Sequence, residues 1–250
     1  MHRFYLPPDL CAGPDLVLED REAHHALHVL RLRPGEQVLV LDGAGAELVC
    51  TVGNCRRHRI QLAVVRKNFI PPLPWRITLL QALPKGKIIE SIIQKATELG
   101  VHRIVPLITE RTATKLEEES AAQKTARWQT VAIEATKQCG SVWLPRIETP
   151  ATLETFLARR PEFDLSLVGS LQPGSRHARE YFDAFREKQK GPPQSVGVWV
   201  GPEGDFTPEE LAGILSSGAG PITLGRLVLR SETAAIYCLS VLNYELQSTA

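Results

Sequence analysis

Absences narrow this 250-residue chain first. Its five cysteines are odd in number and include no CxxC pair, so neither a disulfide framework nor a structural zinc spacing can be read. The expectation is a reducing, cytoplasmic setting with no metal. Long apolar runs are missing too. No stretch of about 18 apolar residues suggests a membrane span, and no basic-then-apolar leader suggests export. Charge of one sign is not in excess: 29 Lys and Arg against 28 Asp and Glu leave +1. Any basic surface for nucleic acid must therefore come from local clustering. There is no internal repeat and no low-complexity tract. With 43% hydrophobic and 23% charged residues, one or two globular domains are expected.

The common cofactor fingerprints also fail. Gly43 and Gly45 lack the third glycine of GxGxxG and fall in a hairpin rather than before a helix. Lys85-Gly86-Lys87 has no glycine spaced for a phosphate-binding loop. Neither a GxSxG elbow nor a kinase set is present. His24 and His28, four apart, can share a helix face, but no HExxH glutamate or third ligand stands near them.

What is present has a clear order. Residues 1–68 read as β-rich. QVLVLDGAGAELVCTVGNC holds two apolar strands around Asp42-Gly43-Ala44-Gly45, a hairpin signal, and Arg59 to Val65 is a further strand. Ala23, Ala26, Leu27 and Leu30 recur at helical spacing over Glu22 to Leu30, before Pro34-Gly35. A small barrel with one short helix is expected. Basic residues gather here: Arg3, Arg31, Arg33, Arg56, Arg57, Arg59, Arg66 and Lys67. Such charges suit phosphate contacts, and they equally suit a solvated surface. FIPPLPW, residues 69–75, is a proline-stiffened linker.

Over 76–250 strands and helices alternate. Arg76 to Leu83, Arg103 to Ile108, Trp143 to Ile147, Phe163 to Val168 and Val196 to Val200 read as strands. Ile88, Ile89, Ile92, Ile93, Ala96 and Leu99 mark a helix that Gly100 stops. A charged helix is expected from Leu116 to Gln138, and another carries Tyr181, Phe182 and Phe185. This order predicts a mostly parallel sheet with helices on both faces.

The chain is organised around Val196 to Thr233. Val196 to Val200 suits a buried strand. Gly201, Pro202 and Gly204 force a turn, and Thr207, Pro208 and Glu210 open a helix with a capping box. Ile222 to Leu224 then meets Gly225, the apolar piece Leu227 to Leu229 leads to Arg230, and Ser231 is expected to cap the last helix. Two such units side by side place two sets of backbone N–H groups at the carboxyl ends of neighbouring strands, where open α/β sheets bind ligands.

GPEGDFTPEE followed by LGRLVLRSETA resembles the RsmE family of ribosomal RNA methyltransferases, a branch of the SPOUT, or trefoil-knot, methyltransferases. The likeness extends over nearly the whole chain, including HHALHVLRLRPGE near the start. It implies an N-terminal PUA-like RNA-binding β-barrel and a C-terminal knotted α/β domain that binds S-adenosylmethionine. The implied reaction is methylation of uridine N3 in small-subunit ribosomal RNA within the small subunit. A homodimer is implied, with no membrane and no metal.

Carried over residue by residue, the resemblance assigns the cofactor to Leu171, Val200, Gly201, Pro202, Gly204, Leu224, Gly225, Leu229, Ser231, Thr233 and Ala234. It gives RNA contacts to Arg3, His25, Arg31 and Arg33. The matching polar residues are Glu98, Glu110, Arg111, Gln138, Arg230 and Glu232. Among them Arg111 and Arg230 are expected to hold the anion formed when N3 loses its proton. Glu232 is expected to orient them or to accept that proton.

Some positions depart from the family pattern. Asp205 stands where many relatives have glycine, Ser141 where arginine is common, and Lys137 where an acid is frequent. Arg226 and Leu227 replace a usual proline and arginine. The open alternatives are a related knotted methyltransferase with another target, a non-catalytic RNA-binding assembly factor, and an unrelated α/β nucleotide-binding enzyme.

Overall fold

The computed structural model describes residues 1–56, 58–112 and 118–247, the side chains of 118–120 excepted. Arg57 and the expected helix start at Leu116 lie outside the described residues. The chain divides into two compact units, one of residues 1–72 with 133–144, the other of 73–132 with 145–250. The expected linker at 69–75 contains the first crossing. The return of 133–144 to the first unit is not foreseen by the sequence pattern.

The first unit is a five-stranded sheet in the order β1-β3-β4-β5-β2. Its strands are β1 (His2–Tyr5), β2 (Asp15–Glu19), β3 (Gln37–Leu41), β4 (Ala46–Arg56) and β5 (Arg59–Phe69). Only β1 and β3 pair in parallel; the other pairs are antiparallel. Period-2 patterning sets the core: Leu16 and Leu18 on β2, Val38 and Val40 on β3, Ile60 and Leu62 on β5 are buried together with Phe4. Two register shifts between β4 and β5 curl the sheet. The edge strands β1 and β2 are not paired with each other among the described residues, so the expected barrel is a curled sheet without a closing ladder.

The expected helix at Glu22 to Leu30 is an α-helical turn, α1 (Asp20–His24), running into a π-helical turn over His25–Val29. Arg31, with φ 56°, ends it in the left-handed region that glycine usually fills. The expected strand at Trp143 to Ile147 survives only as β8 (Arg146–Ile147). Trp143 is instead used by the hairpin of the first unit. Its indole N–H donates to the Ile70 carbonyl at 3.0 Å, and its ring meets Phe69 edge-on. Gly45, at φ 104°, makes room: a Cβ there would lie 2.6–2.7 Å from those two rings.

The second unit holds a parallel sheet in the order β12-β10-β11-β6-β7-β8, with β9 also paired to β7. These strands are β6 (Arg76–Ala82), β7 (Arg103–Ile108), β8, β9 (Ala151–Thr152), β10 (Leu165–Gly169), β11 (Ser195–Val200) and β12 (Gly220–Ile222). On one face Leu80, Ala82, Val105, Leu107, Val168 and Trp199 pack with α4 (Leu153–Ala158) and α6 (Pro208–Ser216). On the other lie α2 (Ile88–Glu98) and α7 (Ser231–Gln247), which pack on each other. Ile89, Ile92 and Ile93 of α2 and Ala235, Leu239 and Leu242 of α7 are buried. Asn243 donates to the Leu99 carbonyl and ties the two helices. Both faces are therefore covered, as a parallel sheet requires. The remaining helices are α3 (Glu118–Cys139) and α5 (Ala178–Gln189).

The two glycine-loop units do not stand on neighbouring strands, contrary to the sequence expectation. Strand β10 pairs with both β11 and β12 and separates them. Three loops, not two, meet at this end of the sheet.

Candidate cofactor and substrate site

The loop after β11 is built by close approach. Asp205 N–H donates to the Pro202 carbonyl at 3.0 Å and closes a turn. Asp205 itself takes φ 60°, held by a bond from Phe206 N–H to its own Oδ1 at 2.8 Å. Aspartate tolerates this region better than most residues, which explains how it replaces a glycine. A Cβ on Gly201 would come within 2.8 Å of Asp205 Oδ1. The following helix opens as read: Thr207 Oγ1 accepts from Glu210 N–H at 3.2 Å, and Glu210 Oε2 accepts from Thr207 N–H at 3.0 Å.

Ser231 does not act as a cap outside α7; the helix begins at Ser231 itself. Its buried hydroxyl donates to the Gly201 carbonyl at 2.7 Å and accepts from Gln81 Nε2 at 3.0 Å. The carboxyl ends of β6 and β11 and the start of α7 are joined by these two bonds. Between β12 and α7 the chain passes Gly225 at φ 104°. Leu227 and Val228, in the apolar piece that leads to Arg230, are 76% and 79% exposed.

These loops line a partly open cavity at the carboxyl ends of β10, β11 and β12. Val200, Gly201 and Pro202 line it from the first loop, and Leu224, Gly225 and Leu229 from the second. Leu171 closes the side after β10, with Ser231 and Ala234 from α7. Gly204 and Thr233, also assigned to the cofactor, do not line it. Gly204 is turned to Arg111, whose Cδ would lie 3.2 Å from a Cβ there. Thr233 is exposed on α7.

Glu203, Asp205, Leu227, Val228, Gly169 and Ser170 line the cavity without having been singled out for it. The signal for the last two was only the end of a predicted strand. Gly169 also backs onto Cys238, whose Sγ would stand 3.9 Å from an added Cβ. Burial pushes that thiol up to about 12, so it is no nucleophile here.

Arg111 is brought to the first loop: its Nη1 donates to the Gly204 carbonyl. The turn carrying it is fixed by Thr109 N–H donating to Thr112 Oγ1 at 3.0 Å, and by Glu110 N–H donating to Glu210 Oε1 at 2.8 Å. Arg230 is exposed beside Ser231. Among the described residues Glu232 has no ion pair with Arg111 or Arg230. The Gly204 carbonyl takes the Arg111 guanidinium in its place. Glu98 pairs with Lys95 at 2.9 Å.

In the first unit, Arg3 is committed internally. Its Nη1 donates to the carbonyls of Gln138 at 2.9 Å and Lys137 at 3.2 Å, the last turn of α3. A cation there offsets the negative end of the helix dipole. Lys137, at the position where an acid is frequent, reaches Glu22 at 2.7 Å and Glu134 at 3.1 Å. His25 is half-buried and meets Phe4 edge-on at 6.4 Å. Arg31 and Arg33 are exposed on either side of buried Leu32. The rings of His24 and His28 stand 4.7 Å apart, and no group of three metal-ligating side chains occurs among the described residues.

Comparison with known proteins agrees with this arrangement. Residues 71–243 match the model of an RNA methyltransferase domain, and 18–65 that of an RNA methyltransferase PUA domain. Ribosomal RNA small subunit methyltransferase E of Bacillus subtilis is 30% identical, over 93% of this chain and 91% of its own. The Synechocystis protein of the same name is 33% identical over 99% of this chain and 78% of its own. Among solved structures, a Legionella pneumophila protein in complex with S-adenosylmethionine superimposes with TM-score 0.87 at 34% identity, covering 97% of this chain and 96% of that one. Ribosomal RNA small subunit methyltransferase E of Neisseria gonorrhoeae, bound to S-adenosylmethionine, gives 0.83 at 29% identity, covering 98% and 97%. With this fold, this cavity and these relatives, the chain belongs to the family of RNA methyltransferases that includes ribosomal RNA small subunit methyltransferase E.

Proposed function

We propose that this protein transfers a methyl group from S-adenosylmethionine to N3 of a uridine in small-subunit ribosomal RNA. The observation that carries the reading is the cavity where the loops after β10, β11 and β12 meet. Its lining fits the cofactor in kind: leucine and alanine side chains for an adenine face, close backbone at Gly201 and Gly225 for polar edges, and carboxylates at Glu203 and Asp205 for a cationic donor. Val200, Gly201, Pro202, Leu224, Leu229 and Ala234 would hold it. When bound, S-adenosylmethionine supplies an electrophilic methyl group on a sulfonium centre.

The chain's own work is to deliver N3 unprotonated and aligned. N3 faces the partner base in a duplex, so the target uridine must be unpaired or turned out of its stack. Its N–H bond is weakly acidic, and removing the proton leaves negative charge on the ring oxygens. Arg230, exposed at the start of α7, and Arg111, fixed by Gly204, are assigned to that charge. Glu232, two residues after Arg230, is assigned to orienting the arginines or to accepting the N3 proton on its carboxylate. The front unit is assigned to RNA through Arg31 and Arg33. The same reading includes a trefoil knot at the C-terminal loops and a homodimer.

Calorimetry with S-adenosylmethionine and methyl transfer to small subunits, against naked ribosomal RNA, test the proposal. Binding together with a methyl mark mapped to uridine N3 is the expected result. No binding would point to a non-catalytic RNA-binding factor, and a mark on another base to a relative with a different target. Sedimentation tests the dimer.

A further inference from the structure

Beside the cavity lies a loop that the proposed reaction does not use. Pro84 to Lys87 leaves the carboxyl end of β6, the strand next to β11. It is anchored across the sheet: Lys85 N–H donates to Glu203 Oε1 at 2.9 Å, and Glu203 lines the cavity. One oxygen of the Glu203 carboxylate is thus taken up by a backbone donor. Lys85 and Lys87 are both exposed, and neither ammonium group makes a hydrogen bond or ion pair among the described residues.

Some cations of this unit are neutralised: Arg103 pairs with Glu148 at 3.2 Å, Arg127 with Glu90 at 2.7 Å and Arg179 with Glu245 at 3.0 Å. Near the cavity four stay free. Lys85 and Lys87 on one loop, and Arg226 and Arg230 on another, are exposed and unpaired among the described residues. The loop bearing residues 201–204 gathers them. It holds Lys85 through Glu203, and it holds Ser231, next to Arg230, through the Gly201 carbonyl.

We propose that Lys85 and Lys87 form a phosphate-binding strip for the RNA strand in the second unit, positioned by the hydrogen bond from Lys85 to Glu203. The proposal rests on the methyltransferase reading of the same site. A nucleotide whose base reaches the bound cofactor carries phosphates on both sides, within one nucleotide's length of the cavity mouth. With a net charge of only +1, no global field draws the strand in, so cations at the entrance must do so locally. Two lysines suit this task as compact, mobile point charges that do not demand a particular base.

The test is Lys85→Gln with Lys87→Gln in the full chain, against Lys188→Gln with Lys190→Gln, the same charge change at the end of α5. Affinity for small-subunit ribosomal RNA is measured across salt, and affinity for S-adenosylmethionine by calorimetry. The expected result is a salt slope lowered by about 0.7 for each lost phosphate contact, with cofactor affinity unchanged and the α5 control like wild type. A second arm compares Glu203→Ala with Glu203→Gln. The amide oxygen of glutamine can still accept from Lys85 N–H, so RNA affinity should fall in the first and recover in the second.

An unchanged slope, or an equal drop in the α5 control, overturns the proposal. So does a loss of cofactor affinity with the RNA slope intact, which would assign the lysines to the cofactor carboxylate. Wild-type protein that neither binds the cofactor nor methylates RNA would sink the parent reading instead, and is scored separately.

Discussion

The hydroxyl of Ser231 donates to the carbonyl oxygen of Gly201 at 2.7 Å across thirty residues of sequence. Gln81, buried on β6, donates to the same hydroxyl at 3.0 Å. One side chain therefore ties three segments around the cavity. In Ser231→Ala the half-buried Gly201 carbonyl loses its partner, and the buried Gln81 amide keeps only its bond to the Ala82 carbonyl. The expected cost is about 1–3 kcal/mol, with weaker S-adenosylmethionine binding because the first loop is no longer held. Denaturant titration and calorimetry check both. Wild-type stability would mean that water replaces the hydroxyl without penalty.

Asp205 gives a paired prediction at the left-handed position. Asp205→Gly relieves the conformation but loses the bond from Phe206 N–H, so stability should stay within about 1 kcal/mol of wild type. Asp205→Val puts a β-branched residue at φ 60° and should cost about 1–3 kcal/mol. Thermal unfolding of the two variants separates them. Equal melting temperatures would show that the backbone relaxes away from this turn.

Arg111 is fixed in place by the Gly204 carbonyl before any substrate arrives. Under the proposed reaction, Arg111→Ala should lower kcat by roughly a hundredfold or more, as loss of one preorganised donor does. The dissociation constant for the cofactor should change little. Unchanged turnover on cognate RNA would remove Arg111 from the chemistry.

Arg3 and the pair Arg31 and Arg33 should behave differently. Arg3 caps α3, so Arg3→Ala should destabilise the first unit by about 1–2 kcal/mol and leave the salt slope of RNA binding almost unchanged. Replacing Arg31 and Arg33 with glutamine should lower the slope with little effect on stability. A slope change in Arg3→Ala at full stability would return Arg3 to the RNA surface.

Three buried thiols give the pH prediction. Burial pushes Cys238 up to about 12 and Cys11 and Cys50 up to about 11, all from an ordinary value of 9.0. The folded state therefore holds these protons more tightly than the unfolded chain. Their contribution to stability is intact below pH 9 and is lost as pH rises from 9 towards 12. Unfolding measured at pH 8, 9 and 10 should show a decline that begins above 9 and is shallower in Cys238→Ala. In native protein at pH 8, exposed Cys139 should label with a thiol reagent well before Cys238.

Much of this was readable along the chain because its causes are local. The capping box at Thr207 and Glu210, the stop at Gly100 and the alternation of Val38 and Val40 depend on residues a few places apart. The Trp143 strand failed for the opposite reason. Its indole is claimed by Ile70, more than seventy residues earlier, and no local pattern carries that claim.

By itself the sequence determined the β-rich character of the first unit, the run of parallel strands and helices, and the glycine turns after β11 and β12. Each follows from steric and hydrophobic periods that act over one element. Only the tertiary structure decided that β10 lies between those two strands, that Ser231 and Gln81 brace Gly201, and that Arg3 serves a helix end. Those outcomes depend on which distant segments compete for a given backbone oxygen or neighbouring edge, and that competition is resolved only when the sheet is assembled.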